Sequence, residues 1–182
     1  MIHKRFPLIL VLLFPSYLFS QFEIDKHIAG PSIGFSFLGS TVQYGLNHEY
    51  GISLNNLGID EVGKLGIGGV FRYWDYTEEF TDVKTNYTNI LFGIQTNYHF
   101  YMANDKVDPW AGVIVAYNFG SADHTIKTVG FKVNKDSHDG FWIGVHAGAR
   151  YWISSKIGLN IKIGFGIRSY GSLDLGFDYK FN

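Results

Sequence analysis

Acyl transfer or hydrolysis at a lipid ester needs a Ser nucleophile, a His base and an orienting carboxylate within hydrogen-bond reach. The histidines and carboxylates of this chain are therefore where chemistry would start. His48 precedes Glu49 in the run Leu46-Asn-His-Glu-Tyr50. No Ser shares its face, so it reads as a boundary residue or as the mark of a strand slipped by one position. His99 and His146 fall on polar faces of alternating segments and read as hydrogen-bonded fillers. His124, Asp136, His138 and Asp139 crowd into one connecting stretch, where a metal site is conceivable and a solvated loop is the simpler reading. Cysteine is absent, which excludes thiolate sites and disulfide staples. No catalytic, cofactor or metal residue is assigned on this basis, and no enzyme activity is expected.

What must position these groups is a set of strands. From Ser172 to Phe181 every residue obeys a period of two: Leu173, Leu175, Phe177, Tyr179 and Phe181 share one face, and Ser172, Asp174, Gly176, Asp178 and Lys180 share the other. That is a strand with one apolar and one polar side. The same alternation runs through 157–167, 141–153 and 88–100, with weaker copies at 32–37, 42–52, 65–74 and 111–119. Eight strands result, and no stretch longer than a turn carries a helical period. The 22 Gly, 16 Phe and 12 Tyr with only 4 Pro suit curved sheets. Connections near 38–40, 75–87, 120–139 and 169–171 would lie on one rim, and those near 53–64, 101–108 and 154–155 on the other.

Charge decides which face meets what. The apolar faces carry no Asp, Glu, Lys or Arg, whereas the opposite faces carry Glu49, Arg72, Arg150, Lys162, Arg168, Asp174, Asp178 and Lys180 together with most of the glycines. Eight closed strands leave an interior only wide enough for side chains, and small residues there make room for long charged ones. Trp74, Tyr76, Tyr87, Tyr117, Phe119, Phe141 and Trp142 fall at one level of such a barrel. Tyr98, Phe100, Trp110, Tyr151, Trp152, Tyr179 and Phe181 fall at the other. Two aromatic belts flanking an aliphatic band belong to the two interfaces of a bilayer. The expected fold is all-β, an eight-stranded antiparallel up-and-down transmembrane β-barrel, and the soluble lipocalin-like alternative would turn the charges outward. A turn at 169–171 would set Lys162 opposite Asp178 and Gly166 opposite Asp174, pairing a buried cation with an anion.

The segments Ile67-Gly-Gly-Val-Phe-Arg-Tyr-Trp74, Asn89-Ile-Leu-Phe-Gly-Ile-Gln95 with Asn97-Tyr-His-Phe100, and Asp108-Pro-Trp-Ala-Gly-Val113 resemble the small outer-membrane β-barrel proteins of Gram-negative bacteria, of the OmpA/OmpX, porin-like type. The ending Leu175-Gly-Phe-Asp-Tyr-Lys-Phe181 is similar to the aromatic last strand by which such barrels are recognised for assembly, although Asn182 follows it. The resemblance implies location in the cell outer membrane, with membrane lipid and the assembly machinery as partners.

The N-terminus agrees with export. His3-Lys4-Arg5 precede the apolar run Phe6–Phe14, which is too short to span a bilayer, and small Ser20 precedes Gln21. Residues 1–20 read as a signal peptide and 21–182 as the barrel domain. A net charge of −1 gives no reason to expect nucleic acid. The functional expectation is a side-chain-filled barrel with a structural or surface-interaction role, its partner site in the loop 120–139. A small-solute channel or lipophile-binding barrel is the alternative, and a lipid-modifying enzyme a distant third. Intact-mass measurement of membrane-extracted protein is expected to find the chain cut near Ser20/Gln21, and retention of Met1 would refute the leader.

Overall fold

The structure, a computed structural model, describes residues 22–57, 63–127, 131–167 and 170–182. The expected leader lies outside the described residues. Nine strands run through the rest: β1 (His27–Ser36), β2 (Thr41–Ile52), β3 (Gly63–Phe80), β4 (Val83–Phe100), β5 (Val107–Ile126), β6 (Phe131–Ser137), β7 (Gly140–Trp152), β8 (Ile157–Gly166) and β9 (Gly171–Phe181). Every pairing is antiparallel. β1 pairs with both β2 and β9, and β4 with both β3 and β5, so eight strands close in the order β1-β2-β3-β4-β5-β7-β8-β9. β6 stands outside that ring, paired to the upper part of β5.

Alternation drives the closure. Residues of one parity point outward and are apolar and exposed, with Ile94 63% and Leu175 59% accessible; those of the other parity are polar and buried, with Gln43 at 0% and Asp174 at 1%. A water-soluble domain has the reverse arrangement. Apolar flesh outside and charge inside is stable only when lipid supplies the solvent, where each backbone polar group must be paired within the protein. Ile161, Ile163, Leu173 and Leu175 all face outward as the sequence pattern requires. The β2–β3 register is continuous on both sides of His48, so no strand slip occurs there. Instead His48 sits at the barrel's lower end, its Nε2 3.0 Å from His27 Nδ1.

Three expectations need correction. The stretches 75–87 and 120–139 are not loops: β3 and β4 run on to a tight turn at Thr81-Asp82, where Thr81 takes φ +48°, and β5 runs on to Ile126. Their β-rich sequences continue the ladder into water. The β8–β9 register places Lys162 opposite Asp174 and Gly158 opposite Asp178, because Gly171, read as a turn glycine, is already in the strand and pairs with Phe165. Finally, Trp74, Trp110, Trp142 and Trp152 occupy the two expected levels but point into the barrel, each 5% exposed or less. Parity explains this, since Trp142 lies between outward Phe141 and Ile143. Tyr76 and Tyr87 share that inward parity and pair with each other above Trp74, so the belts consist of Phe and the other Tyr, and an added Cβ at Gly144 or Gly166 would lie within 2.2 Å of the Trp142 ring.

β3 and β4 have 18 residues and β5 has 20, against 10 to 13 for the other barrel strands. A tilted crossing takes about 9–11 residues, so these three overshoot on one side by a chain length of roughly 23–36 Å at about 3.3 Å per residue. The rim with long hairpins is extracellular and the rim bearing both chain ends is periplasmic. Replacing Leu175 by Arg, at mid-height on the lipid face, is expected to cost ~2–4 kcal/mol in denaturant titrations of vesicle-embedded protein. The same change at Phe80, on the tip of the overshoot and 84% exposed, should leave the midpoint unmoved.

Candidate functional site: the filled lumen and its mouth

Arg150 on β7 organises the lower lumen. Its Nε donates to Asp178 Oδ2 at 2.6 Å, Nη1 to Asp108 Oδ2 at 2.7 Å and Nη2 to Glu49 Oε2 at 3.3 Å. One guanidinium thus joins β9, β5 and β2 across the interior. His99 on β4 ties the same acids together, with Nδ1 2.6 Å from Asp108 Oδ1 and Nε2 2.7 Å from Glu49 Oε1. Both ring nitrogens are engaged, so His99 has none free to act as a base. Asn97 and Asn160 each donate at 2.7 Å, to Glu49 and Asp178 respectively. The guanidinium carbon also lies 5.0 Å from the Trp110 ring and 5.3 Å from that of Trp152, within cation–π range.

A second cluster lies above. Arg72 Nε and Nη2 donate to Asp174 Oδ2 at 3.2 and 3.1 Å, Gln43 Nε2 donates to the other Asp174 oxygen, and the Tyr170 hydroxyl donates to Gln43 Oε1 at 2.7 Å. Lys162 donates to Asn47 Oδ1 at 3.0 Å, which also accepts from Arg72 at 2.7 Å. The expected Lys162–Asp178 pair therefore does not form. Among the described residues the lumen buries four carboxylates (Glu49, Asp108, Asp174, Asp178) and four cations (Arg72, Arg150, Lys162, Lys180). Such balance is what a low-dielectric interior requires, since a lone buried charge is costly.

Both ends are stoppered. Below, Phe22 stacks on His99 with centroids 3.7 Å apart and packs with Ile28 and Trp152. Lys64 Nζ donates to the Phe22 carbonyl at 2.6 Å, and Lys180 binds Glu23 at 2.7 Å. Above, Trp74 stacks on Tyr170 at 4.5 Å and Trp142 meets it edge-on at 5.3 Å, over Val70, Leu91 and Ile114. Between the stoppers lie two cavities of about 20 Å³ each, room for single waters. The sequence reading missed Phe22 altogether, because one ring ahead of β1 carries no periodic signal.

Candidate chemistry disperses. Gly30-Pro-Ser-Ile-Gly34 matches the GxSxG pattern of nucleophile elbows, a match the periodicity obscures, yet it lies inside β1 rather than on a strand-to-helix turn. Ser32 is buried and accepts a 3.5 Å contact from Asn47, with no base bonded to it among the described residues. His124 bonds Thr85 at 2.9 Å and approaches Asp136 at 3.5 Å, whereas His138 turns into the mouth toward Asn89 Oδ1 at 2.9 Å. Asp139 accepts from the Gly120 amide at 2.7 Å, and the Ser137 side-chain hydrogen bond together with that amide holds its carboxyl below the usual range. No three of these gather as metal ligands among the described residues.

The family model described as Opacity family porin protein matches residues 61–175. No curated protein matches the chain. Among solved structures, it is similar to a major outer membrane protein of Thermus thermophilus, at TM-score 0.61 and 13% identity, over 86% of this chain and 99% of that one. It is also similar to the N-terminal β-barrel domain of Pseudomonas aeruginosa OprF, at 0.58 and 12%, over 87% and 98%. Ail, the attachment invasion locus protein of Yersinia pestis, aligns at 0.53 and 12%, over 86% and 97%. At such identities the likeness concerns the fold alone.

The lumen energetics rest on this chain's own side chains. Arg150→Met strands three carboxylates and is expected to destabilise the barrel by about 3–5 kcal/mol in denaturant titrations, with Asp178→Asn restoring part of the loss. Strictly additive losses would place Arg150 outside the network.

Proposed function

Because the chain belongs to the Opacity family of porin proteins, we propose that it is a closed outer-membrane barrel working as a surface-interaction module, its binding element being the extracellular sheet formed by the tops of β3, β4 and β5 with β6. One observation carries this reading: the lumen is stoppered at both ends while the strands on one side run on into water. The β3–β4 ladder continues to Phe80↔Val83 and the β4–β5 ladder to Val83↔Ile126, but β2 stops accompanying β3 at Trp74. Among the described residues, β3 beyond Trp74 and the outer side of β6 thus present unpaired backbone. Unpaired edges are templates for strand addition by a partner chain.

The sheet's charge argues for a protein partner. Ail was crystallised in complex with the heparin analogue sucrose octasulfate, but here Asp75, Glu78, Glu79, Asp82, Asp123, Asp136 and Asp139 outnumber Lys84, Lys127, Lys132 and Lys135. That excess of acids over lysines disfavours a polyanion. Lys127 is engaged with Glu79 at 2.7 Å, and that bond holds the Glu79 carboxyl below its ordinary range. The aromatic β9 serves recognition by the assembly machinery before closure, and no catalytic role is assigned.

The test joins two measurements. Purified protein in planar bilayers is expected to give no conductance steps. Cells displaying the intact protein are expected to gain adhesion, and a variant in which residues 77–86 and 122–136 are each replaced by an Asn-Gly turn should still insert yet lose it. Steady conductance from the intact barrel, or undiminished adhesion by the shortened one, would overturn the reading.

A further inference from the structure

We propose that the extracellular mouth of the barrel is a binding site for a neutral, single-ring aromatic compound bearing a hydrogen-bonding group of the carboxamide type. A cavity of about 200 Å³ lies there, ten times either lumen void. A dry pocket of roughly 150 Å³ accommodates benzene, so this one holds a ring with one small substituent. Its floor is the upper stopper itself, Trp74, Trp142, Tyr170 and Leu91, all buried. Its rim is Leu38, from the turn between β1 and β2, with partly exposed Asn118 and His138. Solvent reaches the cavity from that rim, so the site faces the cell exterior and not the bilayer.

The walls specify more than an oily hole. Among the described residues, five buried side-chain atoms of this lining have no hydrogen-bond partner: Nε1 of Trp74, Nε1 of Trp142, Nδ2 of Asn89, Oδ1 of Asn118 and Nδ1 of His138. Buried polar atoms are ordinarily paired, and five of the eleven unpaired ones found among the described residues gather in the lining of this one cavity. Three of them donate. Asn89 Oδ1 accepts from Asn118 Nδ2 at 3.1 Å and from His138 Nε2 at 2.9 Å, which leaves His138 Nδ1 as an acceptor beside Asn118 Oδ1. These bonds also fix the polar wall before any ligand arrives. A primary carboxamide on a ring presents the complement, a carbonyl for the indole and amide donors and an NH₂ for the acceptors. Among the described residues no Asp, Glu, Lys or Arg lines the cavity, so a charged ligand would find no counterion in that lining.

This site is independent of the surface-sheet reading, since it uses inward side chains rather than strand edges. The full chain in lipid nanodiscs is titrated with 4-fluorobenzamide, followed by ¹⁹F NMR, with folding of every variant checked by circular dichroism. Wild type is expected to take up the probe at one saturable site and to bind benzoate and glucose at least tenfold more weakly. Leu38→Trp, which fills the mouth, should weaken the probe at least tenfold. Asn118→Ala, which removes the side-chain amide, and Trp142→Phe, which removes the indole N–H, should each weaken it at least threefold while leaving toluene binding unchanged. Equal uptake by wild type and Leu38→Trp would assign the signal to the lipid and overturn the proposal. So would preference for benzoate or glucose, or losses in Asn118→Ala and Trp142→Phe that are the same for toluene.

Discussion

A chain that crosses a bilayer in strands must pair every backbone amide and carbonyl with another strand, and the only arrangement without an edge is a closed ring. At eight strands that ring has no space for a pore, only for side chains. Everything else about the interior follows from this narrowness. Long charged residues have to lie across glycines, as Glu49 does over Gly66 and Arg72 over Gly45. They also have to neutralise one another, which is why Arg150 meets three carboxylates and His99 bridges two of them.

Much of this was legible in the sequence because a barrel strand is a period-two signal repeated many times. Alternation across 172–181 identified the lipid face residue by residue, and the charges assigned the other face to the lumen. Register was not legible. A shift of four residues, like any even shift, keeps every side chain on its face, so no pattern could separate Lys162–Asp178 from the observed Lys162–Asp174 opposition. Tryptophan misled for a related reason: its amphipathic ring suits an interface, but the same ring fills a narrow mouth, and only parity tells the two apart. The overshooting strands were obscured by composition, since Asp75, Glu78 and Glu79 beside a turn read as loop although they lie on a ladder.

The extension and the mouth differ in how they are held. The tops of β3, β4 and β5 are supported on only some of their edges and bury few residues, Thr85 and Ala122 among them, so their stability comes from ladder hydrogen bonds and cross-strand pairs such as Tyr76 on Tyr87, centroids 4.7 Å apart. Gly39, at φ +75°, lets the β1–β2 turn come against the face of Tyr76 and brace the foot of the sheet. The mouth rests instead on the tryptophan stopper and inherits the rigidity of the barrel wall.

The distribution of lumen charge among the strands bears on the order in which the barrel is made. β9, the last strand in the chain, supplies Asp174, Asp178 and Lys180, whereas the earlier strands supply Arg72, Arg150 and Lys162 against Glu49 and Asp108. Without β9 the other strands therefore carry surplus positive charge inside, and the last strand cancels it as it seats at the β1–β9 seam. Both of its carboxylates find arginines on strands that are not its neighbours, β3 and β7. Sealing the seam and neutralising the interior are thus a single event, an electrostatic latch thrown by the final strand that holds the finished cylinder against reopening.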